Sequence, residues 1–137
     1  MVSNVRASMG VGLFLLGIAL SLLMWGLSAS PAQAETLTDC QAKIGVLRGQ
    51  TVNATFFGQN AEKNRTGLVT KLDNASAKLA EGKNADAIQK LTNFRDTVAS
   101  LNAQGKIAPE DANTLISGAN DAIACVAALQ MQTPTAA

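Results

Sequence analysis

Apolar positions fall into two regimes along the chain. Met9–Leu27 is one uncharged, mostly apolar block, whereas beyond residue 35 apolar residues recur at steps of three and four. That second spacing places side chains on one face of an α-helix, and no segment alternates as a half-buried strand would. Four helical segments follow. In the first, about Thr36 to Arg48, Leu37, Cys40, Ile44 and Leu47 share a face, weakened by Gly45 and Gly49. Gln50–Gln59 is β-branched and aromatic (Thr51, Val52, Thr55, Phe56, Phe57) and reads as an irregular connection folding its phenylalanines onto the core, with continuation of the helix as the alternative.

The second segment spans roughly Ala61 to Ala80, with Leu68, Leu72, Ala75 and Leu79 as its stripe and Val69 beside it. Asn60 suits its N-cap and Gly82 its C-terminal stop. The third, about Ala85 to Ala103, is expected to start from Asn84 as cap with Asp86 in its first turn, and to bury Ile88, Leu91, Phe94, Val98 and Leu101 before Gly105 ends it. The fourth opens on Pro109-Glu110-Asp111, residues a first turn favours. It carries Ala112, Leu115, Ile116, Ala119, Ile123, Val126 and Leu129 as a wide stripe. Short turns at Gly82–Lys83 and Gly105–Ala108 make neighbours antiparallel. The expected fold is therefore all-α: a small antiparallel bundle of three core helices plus an N-terminal helix over 35–131, with a flexible tail over 132–137.

The N-terminal block changes the compartment. Arg6 supplies a positive start, Ser28–Pro31 breaks the apolar stretch, and Ala32-Gln33-Ala34 is an A-x-A signature. Residues 1–34 thus read as a secretory signal-peptide helix cut between Ala34 and Glu35. An uncleaved anchor through residues 9–27 is the alternative, since the block is about as long as a span requires. Leu37-Thr38-Asp39-Cys40 has the spacing of a lipid-attachment box, but Asp39 is wrong for it and the apolar block is too distant. The expected location is secreted or periplasmic, tethered only if the leader is retained.

Export gives the two cysteines, Cys40 and Cys125, an oxidising environment. One intramolecular bridge is the expectation, worth about 4–5 kcal/mol in the chain-entropy model for a loop of that size. An intermolecular bridge or two free thiols are the alternatives; zinc would need carboxylates as its remaining ligands. In an up-down-up-down bundle the start of the first helix lies beside the end of the fourth, which is where these two cysteines fall.

Charge and composition narrow the function classes. The chain has eleven Lys and Arg against ten Asp and Glu; Arg6 lies in the leader, so the remainder is neutral, without the basic footprint of a nucleic-acid binder. No membrane contact is expected unless the leader is retained. Histidine is absent, which removes Cys–His and Ser–His nucleophilic pairs. No Ser-x-x-Lys occurs beyond the leader, and neither an EF-hand spacing nor a glycine-rich phosphate cradle is present. Glu110 and Asp111 are adjacent carboxylates, better explained by a helix start than by glycoside hydrolysis. Asp73 and Glu81 read as solvated. No enzyme activity, metal or cofactor is expected.

Candidate binding residues are few. Phe56 and Phe57, with Phe94, are expected in the core of a domain this poor in aromatics, but would form a platform for a sugar or peptide if solvent-facing. Lys63, Arg65, Lys71, Lys78 and Lys83 make the second helix mildly basic, against Glu110, Asp111 and Asp121 on the fourth. Lys71 and Lys78 are the candidates there for a charge-guided contact, an ordinary solvated surface being the alternative. The sequons at Asn53, Asn64 and Asn74 read as chance occurrences.

The run Gly67-Leu68, Lys71-Leu72-Asp73-Asn74-Ala75, Leu79, Gly82, Ala87, Leu91, Phe94, Val98, Leu101, Gly105-Lys106-Ile107, Ala112, Leu115-Ile116 and Ala122-Ile123 resembles the FIMAH-like helical modules appended to secreted bacterial proteins. The resemblance covers about residues 63–126 and leaves out the Cys40 segment. It implies a compact extracellular helical module serving interaction, with no established chemistry. The sequence reading is thus an exported, non-catalytic module whose partner is another envelope or secreted protein, of unassigned oligomeric state. A secreted inhibitor or effector, or an envelope structural protein held by an uncleaved leader, are the alternatives.

Overall fold

The computed structural model describes residues 35–132. The leader, the cut after Ala34 with its Ala32 and Ala34, and the tail beyond Gln132 lie outside the described residues. Four helices follow one another: α1 (Leu37–Asn53), α2 (Ala61–Ala80), α3 (Asn84–Ala103) and α4 (Pro109–Gln132). They form a ring in which α1 packs on α2 and α4, and α3 on α2 and α4. Partners descend on one helix as they ascend on the next. Gln41 meets Ser76 and Arg48 meets Asp73 between α1 and α2, and Cys40 meets Cys125 and Leu47 meets Gly118 between α1 and α4. The bundle is antiparallel and all-α.

Its core comes from the periodic stripes. Phe94, Leu72, Leu79, Leu91 and Val98 are wholly buried, joined by Leu47, Leu68, Leu115 and Val126. Burial of these groups is the main drive for folding, at about 25 cal/mol per Å² removed from water. Three stripe residues, Ile88, Ile116 and Ile123, are only partly buried and pack at the margin, while Ala87, Ala122 and Cys125 reach the centre. Leu37, expected on the inner face of α1, is 47% exposed; it sits in the first turn, ahead of the residues that meet α2 and α4. Among the described residues α4 is the one helix long and apolar enough to cross a membrane. Its apolar stripe lies against α1 and α3 in the bundle core.

The helix ends explain where the boundaries fall. Thr36 caps α1 through a capping box: its Oγ1 accepts from Asp39 N–H at 3.1 Å and its own N–H donates to the Asp39 carboxylate at 3.0 Å. The other end corrects the sequence expectation. Instead of stopping near Arg48, α1 runs to Asn53, because Thr51 is fully buried and its hydroxyl donates to Leu47 O at 2.8 Å. Core packing thus overrides the helix-averse local composition.

At the tight turns, Gly82 and Gly105 adopt φ of +78° and +67°. Lys83 N–H donates to Lys78 O and Lys106 N–H to Leu101 O, at 2.9 and 2.8 Å, closing two Schellman turns. Lys83 also begins α3, its carbonyl accepting from Ala87 N–H at 3.0 Å. So tight a turn draws Asn84, expected as the cap, inside the helix, and Lys83 takes the cap position without a side-chain bond. Asn60 does precede α2, but its side chain makes no capping bond either.

Candidate functional site

Among the described residues several places present polar groups around a hollow or an exposed apolar side chain, and three of them bear on the candidate residues. Each is built by a different element. The first lies where α1 and α4 cross. Asp39, Lys43, Val46 and Gln50 recur on one flank of α1, opposite the flank whose Gln41 and Arg48 reach α2. Facing them from α4 are Thr114, Ser117, Gly118 and Asp121, and the groove between has a volume of about 520 Å³. Its floor depends on Gly118: a Cβ there would stand 2.9 Å from Leu47 Cδ1, so a glycine lets the helices approach. Val46, 62% exposed, is the apolar wall. The charged rim is Asp39, Lys43 and Asp121, and the bond to Thr36 holds the Asp39 carboxyl below the usual carboxylate range.

The second is the seam joining the α1–α2 and α3–α4 connections. Phe56 and Ile107 form an isolated antiparallel bridge, with Phe57 N–H donating to Lys106 O and Ala108 N–H to Thr55 O, both at 2.9 Å. Asp111 accepts from Thr55 N–H at 2.8 Å, so this carboxylate anchors the seam besides standing in the first turn of α4. Arg65 donates to Ala54 O at 3.2 Å, pairs with Glu62, and lays its guanidinium 5.3 Å from the centroid of the Phe56 ring. This splits the expected phenylalanine pair. Phe56 and Phe94 are core residues, as expected, whereas Phe57 is 48% exposed. Bridge geometry turns successive residues to opposite sides, so burying one exposes the next.

The third is a shallow hollow of about 580 Å³ along the outer face of α2, lined by Glu62, Lys63, Thr66, Gly67, Thr70, Lys71 and Asn74. Lys71 stands there. Lys78 does not: it reaches Glu81 at 3.6 Å, which Lys83 also meets at 3.3 Å. Those two lysines, Lys83 foremost, hold the Glu81 carboxyl below its ordinary value. Asp73, expected to be solvated, is half-exposed and accepts from Arg48 Nε at 2.7 Å, and that bond raises the arginine's pKa further. Phe56, Phe57, Lys71 and Lys78 therefore do not form one site. Of the sequons, Asn53 and Asn74 are exposed while the amide nitrogen of Asn64 is buried.

Among the described residues no group of three or more Cys, Asp or Glu side chains is placed to hold a metal ion. The α1–α4 groove is not legible in the sequence alone. Its signals were the spacing of Asp39, Lys43, Val46 and Gln50 and a glycine inside α4, each unremarkable until the crossing is known.

One comparison with known proteins bears on the elements that build these places. Residues 59–124 match the FIMAH domain. The matched FIMAH span comprises α2, α3 and α4 as far as Ala124, so α1 and both cysteines lie outside it. Neither the curated proteins nor the solved structures gave a match. The α2 hollow and the α3–α4 turn belong to the FIMAH-like part, whereas the groove forms only where α1 is added to it.

Proposed function

We propose that this chain is an exported, non-catalytic helical module that binds another envelope or secreted protein through the α1–α4 groove. The observation that carries the reading is the groove itself: an apolar wall at Val46 over a glycine floor, ringed by three charges. Two properties support it. The bundle is closed by a covalent bridge, so little conformational freedom is lost when a partner docks on it. The chain also matches a domain of secreted bacterial proteins over its α2–α4 part, and its N-terminal block has the pattern of an export signal.

Groups suited to general acid–base work do not converge in the groove. Asp39 is committed to the cap of α1, and Asp121 lies across from Lys43 on the opposite helix. Recognition of an apolar residue flanked by charge is the chemistry that this lining offers.

The test is capture of a partner from the host's exported fraction by the oxidised chain and by a Val46→Asp variant. Val46 points outward, so the variant keeps its fold. A saturable partner retained by the wild type and weakened at least tenfold by the substitution is the expected result. Equal retention by both, or no partner for either, rejects the groove as the binding face.

A further inference from the structure

We propose that the Cys40–Cys125 disulfide is a redox latch on α1: a dithiol that reduces it frees α1 while α2, α3 and α4 stay folded. The disulfide joins the first turns of α1 to the last turns of α4, with Cα atoms 5.6 Å apart. Its position divides the molecule unevenly. The α2–α4 part holds most of the buried apolar residues, including Phe94, Leu72, Leu79, Leu91 and Leu115, and as far as Ala124 it lies within the FIMAH match. What α1 adds to the core is Cys40, Ile44, Leu47 and Thr51.

The rest of α1's attachment is weak. Its polar links, Arg48–Asp73 and Gln41–Ser76, are at or near the surface, where such pairs contribute little. Two glycines, Gly45 and Gly49, lie within it with no neighbour near their Cα faces, and glycine disfavours the helical state. By contrast, the C-terminal end of α1 is fixed: the seam at Thr55–Phe57 is held by Lys106, Ala108, Asp111 and Arg65. With α2–α4 folded, the latch therefore closes a loop of about 15 residues between Cys40 and that seam. Closing such a loop disfavours opening by on the order of a hundredfold. Reduction removes that factor from α1.

The exchange balances simply. One thiolate of the dithiol attacks a sulfur of the bridge, the S–S bond breaks, and the other cysteine leaves as a thiolate that takes up a proton. The second thiol of the reductant then closes on the mixed disulfide, leaving two cysteine thiols and an oxidised reductant. Both cysteines are buried, and the Glu35 carboxylate stands 3.3 Å from Cys125 Sγ. Release would uncover the sides of α2 near Ser76 and of α4 between Gly118 and Cys125.

Amide hydrogen exchange of the full chain, oxidised and after reduction by dithiothreitol, tests this across a denaturant series. In the reduced chain, α1 amides should lose protection to at least tenfold below α2 and α3, with a weaker denaturant dependence, as local opening requires. A common protection and common denaturant slope for all helices after reduction, or α1 protection unchanged by it, overturns the latch.

Discussion

Glycines within helices have opposite roles in this chain, decided by what surrounds each Cα. Gly49 has open space where a Cβ would go, so Gly49→Ala should gain helix propensity without a contact to repay, stabilising the domain by up to about 1 kcal/mol. Gly118→Ala gains the same propensity, yet its Cβ meets Leu47 Cδ1 at 2.9 Å, on a side chain that is itself buried. Overpacking of that kind costs about 1–3 kcal/mol, so a net loss of about 1 kcal/mol is expected. Urea unfolding of the two variants reads the contrast; stabilisation by both would mean that α1 and α4 can separate freely. This distinction was not legible in the sequence, because it depends on which helix crosses over position 118. The exposure of Phe57 had the same cause. Adjacent phenylalanines looked equivalent until the bridge to Ile107 turned one inward and the other outward.

At the level of helices and connections, periodicity was a sufficient guide wherever turns are short. Stripes at steps of three and four placed α2, α3 and α4 within a residue or two of their ends, since glycines with positive φ close both intervening turns. The α1–α2 connection was less legible. Thr51 and Val52 disfavour helix locally, and only the burial of Thr51 carries α1 on to Asn53. Beyond it, the backbone of residues 55–57 is satisfied by partners about fifty residues away, a pairing no local pattern announces. Asp111 is the clearest case: read as a first-turn acid, it also accepts from Thr55 N–H. Replacing it by alanine should destabilise the chain by about 1 kcal/mol, the net value of one hydrogen bond. Faster amide exchange at Thr55 should accompany that loss, while Ala87 in α3 stays unaffected. No change at Thr55 would remove Asp111 from the seam.

For the molecule as a whole, two independent lines converged. Helix order and turn length put the start of α1 beside the end of α4, and two cysteines in a chain expected to be exported implied one bridge; the structure joins Cys40 to Cys125. The groove, by contrast, is a property of the assembled ring and needs α1, which lies outside the FIMAH match. The working molecule proposed above is an exported domain cut from its leader and closed by its own disulfide. Intact mass of the chain recovered outside the host cell tests it most directly. The expected result is a mass beginning at Glu35, lighter by two hydrogens than the reduced chain, with no thiol alkylated before reduction. A mass beginning at Met1, a disulfide-linked dimer, or two thiols alkylated without reduction would contradict it.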